Sequence, residues 1–88
     1  MKKILVAEDE DAIREFIFIN LNRAGYEVVE ANNGAVAVEK FEKENDIDIA
    51  ILDITMPEKD GLTVCKELRA KSNGTTETEF AVIGKTWL

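Results

Sequence analysis

The chain is poor in several things, and each scarcity narrows what it does. It has a single cysteine, Cys65, so no disulfide forms within it, and the expected compartment is the reducing cytoplasm. On a helix, that cysteine also reads simply as a small buried hydrophobe. Proline occurs once, at Pro57. No apolar run approaches the roughly 18 residues that suggest a membrane span. Met1-Lys2-Lys3 is followed by only four apolar residues before Glu8, which is no secretory signal. Bases are outnumbered: 11 Lys and Arg stand against 18 Asp and Glu, for a net charge of −7. A chain that contacts nucleic acid directly needs the opposite balance, because phosphates are held by Lys and Arg.

What is present is enough for a core. The 88 residues are 45% hydrophobic, too rich for disorder, and amount to one small domain. Apolar runs alternate with helical patterns. Residues 3–7 read as a first strand. Asp11 reads as the N-cap of a helix over about 12–24, with Ile13, Phe16, Ile17, Leu21 and Ala24 on its inner face. Gly25 closes it as a C′ residue. Phe18 and Ile19 lie partly off that stripe. Residues 27–31 form a short second strand, and Asn32-Asn33-Gly34 is a turn signal. A helix to about Glu44 has Ala35, Val38 and Phe41 on one face. Residues 47–53 form a third strand. A helix over 61–70 turns Leu62, Cys65 and Leu68 inward, and residues 80–83 make a fourth strand. Such alternation means a parallel sheet with right-handed crossovers. There is no internal repeat or interdomain linker.

The candidate site lies at strand ends. Glu8 and Asp9 end the first strand, and Asp53 ends the third. Ligands of open α/β sheets bind outside the carboxyl ends of the strands, where the strand order reverses. If these two strands are neighbours, the three acids share one pocket. Like charges that close repel, and at least one would hold a proton unless a cation sits among them. An all-oxygen set with room for water and phosphate suits Mg²⁺. Each element also has a plain reading: Glu8 to Asp11 as acids favoured near a helix N-terminus, Asp53 as a turn former.

Taken together, these residues resemble the receiver domain of bacterial two-component response regulators. The resemblance rests on the stretch from Lys2 to Glu10, on Leu52-Asp53, and on Met56-Pro57-Glu58-Lys59-Asp60-Gly61. Ala24-Gly25-Tyr26 and Ala31-Asn32-Asn33-Gly34 also fit. It covers about residues 2–72. It implies a flavodoxin-like, doubly wound parallel sheet of family order 2-1-3-4-5, here incomplete at the C-terminus with about four strands and three helices. It also implies a phosphoacceptor rather than a turnover enzyme. Asp53 would accept a phosphoryl group from a sensor histidine kinase. Mg²⁺ would be held by Asp9, Glu8, Asp53 and the backbone carbonyl of Thr55. Pro57 would fix the following loop, and Gly61 would permit the turn into the third helix. Kinase docking would use the first helix, with Phe18 and Ile19 as candidate contacts.

The family pattern fades after about residue 72, so residues 73–88 are expected to form a divergent tail on a truncated receiver. Thr86 is the candidate switch hydroxyl, and Lys85 a poorer stand-in for the phosphate-pairing lysine of the family. The fourth helix, fifth strand, fifth helix and any DNA-binding output domain have no residues left. Truncation, a frameshift and engineering all fit. Signalling is therefore expected to be impaired, with weak phosphorylation and no transmitted switch. An uncovered sheet, together with Phe16-Ile17-Phe18-Ile19, suggests a homodimer or domain-swapped oligomer. The alternative function is a receiver-derived assembly module that no longer signals. Other classes fit less well. Gly84-Lys85-Thr86 resembles a P-loop end, but Glu79 stands where its first glycine belongs. Aspartyl phosphatases usually carry a second acid where Thr55 stands. A flavodoxin's phosphate loop would not be as acidic as Glu8 to Asp11.

Overall fold

In a computed structural model of the chain, residues 2–44, 46–72 and 78–84 are described. The elements alternate as expected: β1 (Lys3–Ala7), α1 (Asp11–Arg23), β2 (Glu27–Ala31), α2 (Gly34–Lys43), β3 (Ile49–Asp53), α3 (Gly61–Ser72) and β4 (Glu79–Ile83). The four strands form one parallel sheet of order β2-β1-β3-β4. The strand order reverses between β1 and β3, so these two are neighbours. Helices cover both faces, which makes the fold doubly wound.

Side-chain alternation along the strands sorts the two faces. Leu5 and Ala7 of β1 and Ala50 and Leu52 of β3 join Ala37 and Phe41 of α2 and Val64 and Leu68 of α3 in the main core. Ile4 and Val6 of β1 are also buried but point the other way, beneath α1. That second face is thinner. No residue of α1 is fully buried, and Ile49 and Ile51 of β3 are only half-buried.

The helix faces differ in phase from the sequence expectation. In α1 the least exposed positions are Ile13, Arg14, Ile17, Phe18 and Leu21. Phe16 is 60% exposed, and Ala24 is exposed as well. Of the two candidate docking residues on this helix, Phe18 is half-buried and Ile19 lies on the surface. In α2 the buried residues are Gly34, Ala37 and Phe41, whereas Ala35 is exposed. In α3 they are Gly61, Val64 and Leu68, and Leu62 is 54% exposed. For α2 and α3 the cause is the close packing of these two helices on each other. A Cβ at Gly34 would come within 2.7 Å of Lys59 Cβ and Val64 Cγ2, so small residues occupy the contact.

The ends of the helices follow local chemistry. Asp11 is the first residue of α1 rather than its cap. Glu10 occupies the N-cap without a side-chain cap bond, and Asp11 pairs with Arg14 at 2.6 Å. At the other end, Gly25 takes φ +93°. The Tyr26 N–H bonds the Leu21 carbonyl and the Gly25 N–H bonds the Asn22 carbonyl, which is a Schellman closure. Asn33 caps α2 by accepting from the Val36 N–H at 2.8 Å. At the amino end of the sheet, Lys3 Nζ gathers Glu44 at 2.7 Å, Asp46 at 2.8 Å and Glu27 at 3.6 Å. The hydrogen bonds to Asp46 and Glu44 hold this ammonium well above the usual lysine range. The same bond to Lys3 holds the Asp46 carboxyl below its ordinary value.

Candidate functional site

The acidic site follows from register. Ala7 of β1 lies opposite Leu52 of β3, so the next residues, Glu8 and Asp53, leave the sheet side by side. The Glu8 N–H still bonds the Ala31 carbonyl of β2 at 3.0 Å, and the Ile54 N–H bonds the Ile83 carbonyl of β4 at 2.7 Å. Both strand ends are thus pinned by their outer neighbours. Glu8 and Asp53 are each 1% exposed, while Asp9 is half-buried. One carboxylate oxygen from each of Glu8, Asp9 and Asp53 lies within 4.8 Å of the other two. The three acids singled out in the sequence are therefore brought together.

Short local bonds orient them. Glu8 Oε2 accepts from the Glu10 N–H at 2.9 Å, and Asp53 Oδ1 accepts from the Thr55 N–H at 3.3 Å. Thr55 is itself exposed in the loop that follows. Thr86, like Lys85, lies outside the described residues. The set of oxygens fits a hard divalent cation such as Mg²⁺, since it offers carboxylates and leaves one side, at Asp9, open to water.

The loop from Ile54 to Asp60 is tied down at several points. Met56 is buried in the core. Glu58 adopts φ +69°, a left-handed conformation uncommon for a side chain of its kind. Lys59 reaches Glu67 of α3 with both carboxylate oxygens at 2.9 Å. Asp60 caps α3 by accepting from the Thr63 N–H at 2.8 Å, and that bond holds its carboxyl below the usual range. Gly61 is needed for space rather than for an unusual turn. A Cβ there would overlap the Asp53 carbonyl oxygen, and the Gly61 N–H bonds the Ile54 carbonyl at 3.1 Å. The start of α3 is thereby seated directly on the backbone of the acidic residue.

One contributor was missed in the sequence. Arg14 of α1 donates to the Glu8 carbonyl at 2.9 Å and pairs with Asp11 and, at 3.5 Å, with Glu30 of β2. A charged residue inside a helix pattern reads as a solvated one. The available signal was its place one turn into α1, six residues after Glu8.

In this parallel α/β domain, three acids, two of them buried, meet where the strand order reverses. Comparison with known proteins gives this class a family: the model of the response regulator receiver domain matches residues 4–83, through β4, and the chain belongs to that family. Among curated relatives, the alkaline phosphatase synthesis transcriptional regulatory protein PhoP of Bacillus subtilis is 46% identical over 68 residues, 77% of this chain and 28% of that protein. The chemotaxis protein CheY of Bacillus subtilis is 48% identical over 68 residues, 76% of this chain and 56% of that protein. The chain thus spans under a third of PhoP and just over half of CheY. Among solved structures, response regulator protein TrrA of Thermotoga maritima in complex with Mg²⁺-BeF is 34% identical, with a TM-score of 0.81, and 99% of this chain aligns with 90% of that one. The structure of histidine kinase ThkA in complex with response regulator protein TrrA contains a chain 39% identical, with a TM-score of 0.84; the alignment covers 97% of this chain and 70% of that one. No helix among the described residues is long and apolar enough to cross a membrane.

Proposed function

We propose that this chain is a phosphoacceptor of two-component signalling, in which Asp53 takes a phosphoryl group from a sensor histidine kinase with Mg²⁺ bound beside it. The observation that carries this reading is the meeting of Glu8, Asp9 and Asp53 within 4.8 Å at the carboxyl end of the sheet. Membership of the receiver family supports it. So do the Mg²⁺-BeF carried by TrrA and the kinase partner in the ThkA complex.

In this reading, a carboxylate oxygen of Asp53 forms a new P–O bond as the P–N bond of the donor phosphohistidine breaks. The imidazole leaves with the electron pair and takes up a proton. The product is an acyl phosphate on Asp53. Phosphoryl transfer asks the protein mainly for positioning and for charge neutralisation. Asp53 is positioned by the β1–β3 register and by Gly61 behind it. Asp9, Glu8, Asp53 and the Thr55 backbone carbonyl would hold the cation, which would supply the neutralisation when bound. The chain consumes one phosphoryl group per molecule and turns nothing over. With a net charge of −7, it is given no direct contact with nucleic acid. Residues 4–83 act as a receiver domain, and the cytoplasm is its proposed compartment.

A second reading concerns assembly. No residue of α1 is fully buried, Phe16 and Ile19 are 60% and 40% exposed, and Ile49 and Ile51 of β3 on the same side of the sheet are half-buried. This exposed apolar surface favours a homodimer or a swapped dimer. A monomer mass in light scattering over a wide concentration range would remove it.

The phosphoacceptor reading is tested by intact mass after incubation with Mg²⁺ and a small phosphoryl donor. One phosphoryl adduct is expected on the chain and none on Asp53→Asn. A folded chain that takes no adduct, or an adduct that persists in the variant, would overturn it.

A further inference from the structure

We infer that Arg14 is a positioning residue for the acidic site: its guanidinium clamps the Glu8 backbone to Asp11 and Glu30, and so sets where the Glu8 and Asp9 carboxylates stand. The inference rests on the phosphoacceptor reading and deepens it.

Arg14 has three anchors on three parts of the fold. Nη1 donates to the Glu8 carbonyl at 2.9 Å, Nη2 to Asp11 Oδ1 at 2.6 Å, and Nε lies 3.5 Å from Glu30 Oε1. These are the end of β1, the first turn of α1 and the end of β2. The Asp11 carboxylate is open to water, whereas the Arg14 side chain is only 17% exposed and its bond to the Glu8 carbonyl is shielded. Its planar fork suits such bridging, because the donors hold fixed angles to one another.

The anchored atom is what matters. The Glu8 carbonyl belongs to the peptide that joins Glu8 to Asp9. Holding that oxygen fixes the peptide plane from which both carboxylates depart. Glu8 Oε2 in turn accepts from the Glu10 N–H at 2.9 Å, so the carboxylate takes its bearing from the same short segment. Three acids within 4.8 Å push this turn open when no cation is present. A clamp that keeps it closed lowers the reorganisation needed on binding, as outer partners of metal ligands generally do.

The charge of Arg14 acts in the opposite direction from its geometry. A cation near the acids repels Mg²⁺, so removing it on charge grounds alone tightens binding. Removing the clamp weakens binding. The sign of the effect therefore separates the two.

The test is Mg²⁺ affinity by titration calorimetry, alongside metal-free thermal unfolding, for the chain, Arg14→Met, Arg14→Lys and Lys3→Met. Lys3 sits at the opposite end of the sheet and controls for lost stability. Arg14→Met is expected to weaken Mg²⁺ binding by about tenfold, within the range for outer-shell partners. Arg14→Lys keeps the charge but not the fork and is expected to weaken it by several-fold. Lys3→Met lowers the unfolding temperature and leaves the affinity unchanged. Binding by Arg14→Met that equals or exceeds that of the parent chain would overturn the inference. So would Arg14→Lys binding like the parent, and this variant decides the matter if Arg14→Met does not fold. A parent chain that binds no Mg²⁺ removes the phosphoacceptor reading and the Arg14 inference together; a parent that binds, with Arg14 variants unaffected, removes the Arg14 inference alone.

Discussion

Replacing Asp53 by Asn should make the metal-free protein more stable, although Asp53 is among its most buried side chains. Its carboxylate lies within 4.8 Å of both Glu8 and Asp9. Two unit charges at that distance repel by about 3.5 kcal/mol at an effective dielectric near 20. Asp53 takes part in two such pairs. Asp9 is half-buried, so water and salt screen its share, and small outward shifts relieve more. Asn keeps the shape and still accepts from the Thr55 N–H, at the cost of a charge-assisted bond worth about 1 kcal/mol more than a neutral one. The net expectation is a gain of about 2 kcal/mol. In a domain of this size that raises the unfolding temperature by roughly 10 °C. Circular dichroism melts in a chelating buffer measure it. The order should reverse when Mg²⁺ is added. A ligand at a hundred times its dissociation constant stabilises the folded form by about 2.7 kcal/mol, and the variant, short of one ligand and one charge, collects much less. A variant that melts with or below the parent in chelator would show that the three acids do not repel in the folded chain. The inference of a cation from their crowding would then be refuted.

Three further outcomes follow from other parts of the fold. Gly61→Ala places a methyl group against the Asp53 carbonyl; urea unfolding should show a loss of about 1–3 kcal/mol, and Mg²⁺ affinity should fall with it. Gly25→Ala has open space but must adopt φ +93°, so a loss of about 1 kcal/mol is expected with no change at the acidic site, which separates backbone strain from crowding. The third concerns pH. The Asp60 and Asp46 carboxyls sit below their ordinary value of 3.8 in the folded chain, the first through the Thr63 backbone N–H and the second through Lys3. A folded-state depression contributes stability that is complete above the unfolded value and is lost as pH falls through the folded one. Unfolding temperature should therefore decline below about pH 4, and the decline should be shallower in Asp60→Asn, whose amide caps α3 without titrating. An equal decline in the two proteins would exclude the cap from the acid limb.

Most of the architecture was legible because parallel strands and their crossover helices write different periods into the chain. Every element appeared, with boundaries within about two residues. Asp48 illustrates the remaining margin: it was read inside the third strand, yet it precedes the ladder and binds the Lys3 N–H with its side chain at 2.9 Å. The faces of the helices were harder. Leu62, Ala35 and Phe16 look like inward residues by hydropathy, while Val64, Ala37 and Phe18 occupy the less exposed positions. Where α2 packs on α3 the contact is chosen by size, and Gly34 carries no hydrophobic signal at all; Gly61 is chosen for space too, against the Asp53 backbone. The acidic site was legible for a different reason. Strand ends in a parallel sheet share one edge, so two short runs ending in Glu8-Asp9 and in Asp53 need only be neighbours for their acids to meet. Arg14 was harder to read on that logic: its place six residues after Glu8 hints at the Glu8 carbonyl, but nothing near it in sequence announces Glu30 as a partner. It became visible only when β2 was laid beside β1. Residues that carry charge to a site are written in the strand ends, whereas those that hold it in place are written in the packing.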